Sequence, residues 1–423
     1  METVQDPYLR HLFDSDSLLN VYREDVTNLS VGAPGPDFLM LCPEMMEKAT
    51  KHRLGEERKE GKYYGFQYGM TQGLWECREE LAKFLSNRYG DLVQRDKLVL
   101  TAGATHGLQL LLNTVLSPNG IIFAEEFTYM IALDVFKEFP LMKVVTVPME
   151  NDLVNLDMLE KMVAEEKEKG NFLLNDGKIY WSAFYTIPTF HNPTGMTLPP
   201  ESCRQLVQIA RKYSMAVICD DVYNLLYYGS NEYGPQRLLY YDNPNDSDYV
   251  GGNVISNGSF SKILSPAIRV GWIESNSRVV KIIKESGILR SSGAVNHYMS
   301  GIVASLLHQG LEDEYLNKVI EDYKGRMLAL CETMDRYLPS CCSYYKPEGG
   351  YFLWIHLPEG INDLEFVKWC QQVYKVAALP GSRFSNVKKN QHCLRISISF
   401  HTKERLVFAA KQLCAALLDY IRK

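Results

Sequence analysis

Apolar β-prone runs and amphipathic helical stretches alternate through much of this chain. The β-prone runs predict strands at residues 97–101, 121–124, 143–147, 179–187, 216–219, 254–256 and 270–273. The intervening stretches predict helices at residues 104–116, 156–170 and 201–213. Strands that alternate with helices form right-handed βαβ units, in which helices cover both faces of a largely parallel sheet. The pattern therefore predicts an α/β fold with a mostly parallel sheet.

The alternation changes beyond Gly293. Long helical stretches at residues 298–307 and 312–337 come first, and strands are then predicted at residues 350–356 and 394–398. Helical stretches at residues 364–374 and 402–421 are expected to cover these strands. This part of the sequence predicts a second, smaller α+β domain.

Composition limits the class of protein further. A chain of 423 residues with 46% hydrophobic and 23% charged residues is typical of a globular protein with more than one domain. The net charge of −6 argues against nucleic-acid binding, which needs basic side chains to neutralise phosphates. The N-terminus lacks the apolar segment of a signal peptide, and no apolar run is long enough to cross a membrane. Ten scattered cysteines without a metal-binding spacing favour reduced thiols, so we expect a cytoplasmic protein without a metal site.

A turn of mainly small residues at 102–107 connects a predicted strand to a helix. Its members Gly103, Ala104 and Thr105 would present backbone N–H groups at the positive end of the helix dipole, which is a cradle for phosphate. The turn matches neither G-x-G-x-x-G nor the P-loop. Helices that begin with small residues are common, so this turn alone leaves both interpretations open.

Other polar motifs follow three of the predicted strands. They are His191-Asn-Pro-Thr-Gly195 after 179–187, Asp220-Asp221-Val222-Tyr223 after 216–219, and Ser259-Phe-Ser261-Lys262 after 254–256. Ligands of parallel sheets bind at the carboxyl ends of the strands. We therefore expect these motifs to converge on one site.

Lys262 has two interpretations when taken alone. The simpler one is a solvated loop charge, and the other is an amine that forms a Schiff base with a carbonyl cofactor. The second interpretation requires an acid for the ring nitrogen of the cofactor, donors for its ring oxygen and a phosphate clamp. It also requires a bidentate cation for a substrate carboxylate, for which Arg395 is a candidate. The strand ends and Arg395 together offer candidates for each part.

In chain order these motifs resemble those of pyridoxal-phosphate enzymes of fold type I, the class I/II aminotransferases. The resemblance runs from about Gly32 to Arg395 and is most specific in the three motifs above and in Arg269-x-Gly271. Gly349-Gly-Tyr-Phe352 supports it further along the chain. The stretch Tyr68-Gly-Met-Thr-Gln-Gly73 looks closest to a subgroup that includes 2-aminoadipate and aromatic aminotransferases.

The resemblance implies an architecture and an activity. The expected fold has a seven-stranded-type sheet in a large domain of residues 56–300, and a small domain of residues 301–423 that residues 1–55 join. The expected activity is ping-pong transfer of an amino group between an L-amino acid and a 2-oxo acid, with 2-oxoglutarate as the acceptor. The implied cofactor is pyridoxal 5'-phosphate, and the implied assembly is a homodimer with shared active sites.

The resemblance also implies roles for the catalytic residues. Lys262 would be the Schiff-base lysine and, once displaced by substrate, the general base. Asp220 would pair with the protonated ring nitrogen, and Asn192 and Tyr223 would donate to the ring oxygen. Arg395 would bind the substrate carboxylate with help from Gly32 and Asn192.

The remaining roles concern the rest of the cofactor. Ser259, Ser261 and Arg269 would hold the phosphate together with the turn at Gly103, Ala104 and Thr105. Tyr129 would stack on the ring, and Tyr68 would reach the phosphate from the neighbouring subunit.

Several alternatives stay open at this point. Asp221 is the rival of Asp220, and Tyr129 has core packing as its alternative. Arg10 and Arg23, in a helical stretch at residues 7–23, are surface charges or contacts to a substrate side chain, and surface charge is preferred. The rival functions are a cysteine-conjugate β-lyase and a non-catalytic sensor that binds the same cofactor.

Overall fold

The structure is a computed structural model that describes residues 25–387 and 392–422. The helix predicted at residues 7–23, with Arg10 and Arg23, lies outside the described residues. Within them, the strand β1 (Thr27–Asn28) comes first, and two helices, α1 (Pro36–Leu39) and α2 (Cys42–Glu60), follow it.

A seven-stranded sheet forms the centre of the molecule. Its strands stand in the order β2-β10-β9-β8-β7-β3-β4, and all neighbouring pairs are parallel except those of β10 with β2 and β9. The strands are β2 (Leu98–Thr101), β3 (Leu116–Glu125), β4 (Lys143–Val147), β7 (Tyr180–Thr186), β8 (Ala216–Asp220), β9 (Val254–Ser259) and β10 (Gly271–Glu274). Every residue of β7, β8 and β9 is buried, as expected for strands covered on both faces. The predicted α/β fold with a mostly parallel sheet is confirmed.

Helices lie before, between and after the strands of this sheet in the sequence. They are α3 (Trp75–Tyr89), α4 (Ala104–Thr114), α5 (Met130–Lys137), α6 (Leu156–Lys169), α7 (Pro200–Tyr213), α8 (Ser277–Lys284), α9 (Gly287–Ser292) and α10 (His297–His308). A small hairpin of β5 (Met149–Glu150) and β6 (Leu153–Val154) lies between β4 and α6.

The C-terminal part contains a second sheet, with strand order β11-β12-β15-β14 and only antiparallel pairs. Its strands and the nearby β13 are β11 (Ser343–Tyr344), β12 (Phe352–His356), β13 (Val376–Ala377), β14 (Leu379–Pro380) and β15 (Cys393–Ser397). The helices are α11 (Leu311–Tyr337), α12 (Asp363–Val373) and α13 (Lys403–Ile421). The early strand β1 pairs in parallel with β13. This pairing connects the N-terminal segment to the C-terminal part, and the domain limits of 1–55, 56–300 and 301–423 stay a prediction.

One boundary in the large sheet differs from the sequence prediction. Helix α4 ends at Thr114, and β3 already begins at Leu116 instead of at residue 121. Its pairing with β7 shifts register between Leu116 and Ile121, because Pro118 lacks an N–H group for a regular ladder. Strand β10 is antiparallel to both of its neighbours, because the short link from β9 cannot form the long crossover that a parallel neighbour needs.

None of the helices in the described part of the chain is long and apolar enough to cross a membrane.

Candidate active site

A cavity of about 280 Å³ lies where the carboxyl ends of β7, β8 and β9 meet the beginning of α4. Most of the predicted site residues line it, although they come from distant parts of the sequence. These residues are Ala104, Thr105, Tyr129, Asn192, Asp220, Tyr223, Ser259, Ser261, Lys262 and Arg269. The convergence expected from the strand ends is therefore present in the fold.

Asp220 is the last residue of β8, and its carboxylate is buried beside this cavity. Its Oδ2 atom accepts a hydrogen bond of 2.7 Å from the hydroxyl of Tyr185, whereas Oδ1 has no hydrogen-bond partner among the described residues. Burial raises the pKa of Asp220 to about 6, and the bond from Tyr185 and the charge of Lys262 oppose that rise. A buried carboxylate oxygen without a donor is costly unless a cation occupies the cavity beside it.

The neighbouring Asp221 does not line the cavity. Its Oδ2 atom accepts a hydrogen bond of 2.5 Å from the hydroxyl of Ser256 on β9. Of the two adjacent acids, Asp220 is thus the one that lines the cavity, and its pairing with the ring nitrogen of a cofactor stays a prediction.

Lys262 follows β9 and lies between acidic and basic neighbours. Its Nζ atom donates a hydrogen bond of 2.7 Å to the backbone oxygen of Gly32. The hydroxyl of Tyr351 donates one of 2.8 Å to the backbone oxygen of Lys262. Burial lowers the pKa of Lys262 to about 8, with further lowering by Arg395 that Asp220 opposes. The amine is therefore partly neutral near pH 8, as a nucleophile or base needs to be.

The beginning of α4 and Arg269 form a positively charged corner of the cavity. An α-helix leaves its first N–H groups without intrahelical partners, and Gly103 at this end provides no side-chain cap. The guanidinium of Arg269 donates to the backbone oxygen of Ala102 at 2.9 Å and to that of Pro266 at 3.1 Å. A Cβ atom on Gly103, whose φ is 92°, would lie 3.0 Å from the Nη2 atom of Arg269. Glycine here allows the guanidinium to approach the helix end.

Ser259 and Ser261 complete this corner. The Ser259 hydroxyl donates to the Ser261 hydroxyl at 2.9 Å and accepts from the Ser261 backbone N–H at 3.1 Å. Hydroxyls, free amides and a guanidinium around one space are a typical donor set for a phosphate group.

Arg395 lies on β15 of the smaller sheet, behind the cavity lining. Its side chain is buried, and its Nη1 atom donates to Oδ1 of Asn192 at 2.7 Å while Nη2 donates to the backbone oxygen of Ser30. The guanidinium lies over the rings of Phe352 and Phe384, at 4.0 Å and 4.7 Å from their centroids. Its Nε atom has no partner within the part of the chain that the structure describes. Burial lowers the pKa of Arg395 to about 10, so the guanidinium remains charged at neutral pH.

The aromatic candidates take different positions. Tyr223 is buried against the rings of Tyr351 and Phe352, and burial raises its pKa. Tyr129 stands just before α5 at the cavity wall, and burial raises its pKa to about 12. Tyr68 does not line the cavity, and 78% of its surface is exposed. A contact of Tyr68 with the site of a neighbouring subunit stays a prediction.

Gly32 lies against the aromatic side of the site. A Cβ atom at this position would be 2.5 Å from Phe352, so a larger residue would push this ring away. Together with the hydrogen bond from Lys262, this contact brings the backbone of Gly32 directly to the site.

Sequence reasoning did not single out several residues that contact the site. Tyr185 lies within a β-prone run, where an aromatic residue is expected to pack in the core, so no sequence pattern marks it as a site residue. Glu125 at the end of β3 is 3.0 Å from Nε2 of His191, and both side chains are buried beneath the turn that carries Asn192. The strand-end position of Glu125 was the available signal, because the other strand ends carry the site.

Comparison with known proteins identifies the family. Residues 24–413 match the model of the aminotransferase class I and II family, and the chain belongs to this family. It is 29% identical over 407 residues to aromatic-amino-acid aminotransferase 1 of Thermococcus litoralis, covering 95% of this chain and 90% of that protein. It is 27% identical over 400 residues to 2-aminoadipate transaminase of Thermus thermophilus, covering 93% and 91%.

A solved structure agrees in fold over nearly the whole chain. The multiple substrate aminotransferase from Thermococcus profundus superposes with a TM-score of 0.82 at 26% identity, covering 99% of this chain and 96% of that one. The resemblance seen in the sequence and the predicted fold type are thus confirmed.

The family uses pyridoxal phosphate, and the residues of this cavity fit that cofactor. The Oδ1 atom of Asp220, which has no hydrogen-bond partner among the described residues, suits a protonated ring nitrogen, and the corner at α4 and Arg269 suits a phosphate. The Lys262 amine, at the same cavity, suits an aldehyde.

We predict that Lys262 titrates well below exposed lysines. In protein freed of cofactor, its reaction with an acylating reagent should level off above a pH of about 8, because the amine is already neutral there. Lys48 is exposed and its pKa is raised by Glu44, so its reaction should keep increasing with pH. Peptide mass spectrometry after timed labelling measures both rates, and parallel profiles for the two lysines would contradict the prediction.

Proposed function

We propose that this protein is an aminotransferase that moves an amino group between an L-amino acid and a 2-oxo acid, with pyridoxal phosphate held by Lys262. The observation that carries the proposal is that Lys262 and the buried Asp220 line one cavity and that the buried Arg395 contacts Asn192 in its wall. Lys262 lies there under the influence of Asp220 and Arg395. In the proposed reaction Lys262 supplies the amine, Asp220 pairs with the ring nitrogen, and Arg395 binds the substrate carboxylate.

The cavity residues would hold the cofactor at opposite ends. Arg269, Ser259, Ser261 and the first amides of α4 would hold its phosphate, and Asp220 would keep its ring nitrogen protonated. Asn192 and Tyr223 would donate to its ring oxygen, and Tyr129 would cover its face. When bound, the cofactor supplies an aldehyde for the substrate nitrogen and a ring that accepts the electron pair left when the Cα proton departs.

Lys262 has two tasks in this proposal. Its amine carries the cofactor between turnovers, and it moves the proton at the Cα atom when substrate takes its place. A pKa of about 8 supports both tasks, because the amine accepts and returns a proton near neutral pH. The hydrogen bonds to Gly32 and from Tyr351 fix the lysine relative to the cavity.

Arg395 would bind the carboxylate of the substrate. Its Nε atom has no described partner, and its stack on Phe352 and Phe384 holds the plane of the guanidinium. A planar guanidinium binds a carboxylate by two parallel hydrogen bonds. Asn192 connects this arginine to the cofactor end of the site, since it accepts from Arg395 and also lines the cavity.

The proposed substrates are aromatic amino acids, 2-aminoadipate or a broad set that includes both, with 2-oxoglutarate as the acceptor. The names of the relatives from Thermococcus litoralis and Thermus thermophilus support these two classes.

The proposed assembly is a homodimer with shared sites. Exposed aromatic side chains concentrate in the loop that carries Tyr68, where Tyr63, Tyr64 and Phe66 each expose more than half of their surface. Such a cluster is expected to be covered by a partner.

Conversion of the bound cofactor by single amino acids tests the function directly. We expect aromatic amino acids or 2-aminoadipate to change the cofactor absorbance in the absence of a 2-oxo acid, and 2-oxoglutarate to reverse that change. Lys262→Ala should slow the reaction at least roughly a thousandfold, because it removes the group that moves the proton. A wild-type protein that retains its cofactor but converts none of the amino acids would be a sensor instead. Release of pyruvate and ammonia from a cysteine conjugate would indicate a β-lyase.

Arg395→Ala should raise the KM for the amino acid by roughly a hundredfold, since loss of one partner of a buried charge pair costs about 2–5 kcal/mol. Cofactor binding should change little, because Arg395 does not line the cavity. Arg383→Ala is the matched control, since this arginine is exposed. Equal KM values for the two variants would show that the carboxylate is bound elsewhere.

Mixed dimers test the role of Tyr68. We expect Lys262→Ala and Tyr68→Ala, each weakly active alone, to recover up to about a quarter of wild-type activity after subunit exchange. Random exchange makes about half of the dimers mixed, and one of the two sites in each mixed dimer is intact. The same mixture without exchange is the control. No recovery in a preparation with proven mixed dimers would exclude shared sites.

A further inference from the structure

Tyr185 connects β7 to the acid at the end of the adjacent strand β8. The two strands are parallel, with Tyr185 opposite Ile218 and Thr186 opposite Cys219, so the tyrosine lies next to Asp220. Its hydroxyl donates to Oδ2 of Asp220 at 2.7 Å. Its ring packs edge-on against Phe136 of α5 at 5.5 Å and is fully buried. The hydroxyl is therefore fixed in place by the packing of its own ring.

The direction of this hydrogen bond follows from the surroundings. Burial and the negative charge of Asp220 raise the pKa of Tyr185 well above its usual range, so the phenol keeps its proton and donates a hydrogen bond. Oδ2 of Asp220 accepts this hydrogen bond, whereas Oδ1 of the same carboxylate is buried and has no described partner. A carboxylate held at one oxygen presents the other in a fixed direction.

The charge of Asp220 depends on the same contact. Burial alone favours the neutral acid, and donors to the carboxylate favour the anion. The titratable and charged groups that act on Asp220 are Tyr185 on β7, the adjacent Asp221, Lys262 after β9, Tyr129 before α5 and Tyr223. Tyr185 donates a hydrogen bond directly to Asp220, whereas the cationic Lys262 acts through its charge.

We propose that Tyr185 is a positioning residue that acts through Asp220: its hydroxyl keeps the carboxylate ionised and directs Oδ1 toward the ring nitrogen of the cofactor. This inference rests on the proposed pairing of Asp220 with that nitrogen. Tyr185 touches the carboxylate and not the reacting atoms of the substrate. Without the hydroxyl, Asp220 takes up a proton at higher pH, and in that neutral form it does not pair with a protonated nitrogen.

Tyr185→Phe removes only the hydroxyl and retains the ring that fills the space beside Phe136. The matched control is Tyr180→Phe on the same strand, because Tyr180 is also buried and its hydroxyl also donates at 2.7 Å, but to the backbone oxygen of Gly252. The Tyr180 hydroxyl lies outside the cavity lining. Any general effect of losing a buried hydroxyl on this strand is thus present in both variants.

The measurement is the dissociation constant of pyridoxal phosphate as a function of pH, obtained by equilibrating each holoenzyme with free cofactor. In the wild type, affinity should fall as the pH decreases through the pKa of Asp220, since the anion is lost there. In Tyr185→Phe this fall should begin about one to two pH units higher, which corresponds to the loss of a hydrogen bond to a charged group. Near neutral pH the variant should bind cofactor roughly tenfold more weakly.

A second variant gives the opposite sign without loss of packing. Replacing Tyr185 with a fluorinated tyrosine makes its hydroxyl a stronger donor, so the fall in affinity should move to lower pH. This variant retains the hydrogen bond and therefore decides the question even where Tyr185→Phe does not fold. A pH profile that is unchanged by the fluorinated residue, or one that Tyr185→Phe shifts no more than Tyr180→Phe does, overturns the proposal.

The variant Asp220→Asn distinguishes a failure of this inference from a failure of the proposed function on which it rests. Its profile should lose the pH-dependent step, because an amide does not ionise in this range. If Asp220→Asn loses the step while Tyr185→Phe and the fluorinated variant leave it in place, only the role of Tyr185 is wrong. If Asp220→Asn binds cofactor with the wild-type profile, the pairing of Asp220 with the nitrogen is wrong, and the inference about Tyr185 fails with it.

Discussion

Charged groups held in or close to one cavity, largely out of contact with water, are the constraint on which this structure depends. A lysine, an aspartate and an arginine cannot leave water without compensation, since burial of a single unpaired charge costs more than most folding interactions return. Here the amine of Lys262 donates a hydrogen bond to the backbone oxygen of Gly32. The carboxylate of Asp220 accepts one from Tyr185, and the guanidinium of Arg395 donates one to Asn192. These partners use part of the hydrogen-bonding capacity of each charged group. The Oδ1 atom of Asp220 and the Nε atom of Arg395 have no described partner.

The sheets are arranged so that these charges meet. The carboxyl ends of β8 and β9 bring Asp220 and Lys262 to one edge of the large sheet, and β15 of the smaller sheet brings Arg395 from the other side. Asn192 stands between them, with its oxygen on Arg395 and its side chain at the cavity wall. A substrate carboxylate bound at Arg395 would therefore be connected to the cofactor end of the site through the side chain of Asn192.

Burial also sets the acid–base properties that the proposed chemistry uses. The pKa of Lys262 falls to about 8 and that of Asp220 rises to about 6, so both values move toward neutrality from opposite directions. A lysine that is partly neutral near physiological pH can move a proton, and an acid that is still ionised there can stabilise a cation. The environment of each group thus fits a different role, although both line the same cavity.

The sequence by itself determined the α/β class, the strand-end motifs and the family, because alternation of apolar runs and short polar motifs are local properties of the chain. It named Lys262, Asp220 and Arg395 as candidates, but it left Asp221 as a rival and gave no sign of Tyr185. Only the tertiary structure decided these points. Adjacent residues at the end of β8 point in different directions, so Asp220 faces the cavity and Asp221 faces Ser256. Tyr185 contacts Asp220 across two neighbouring strands that lie more than thirty residues apart in the sequence, so the contact exists only once β7 and β8 pair in the sheet.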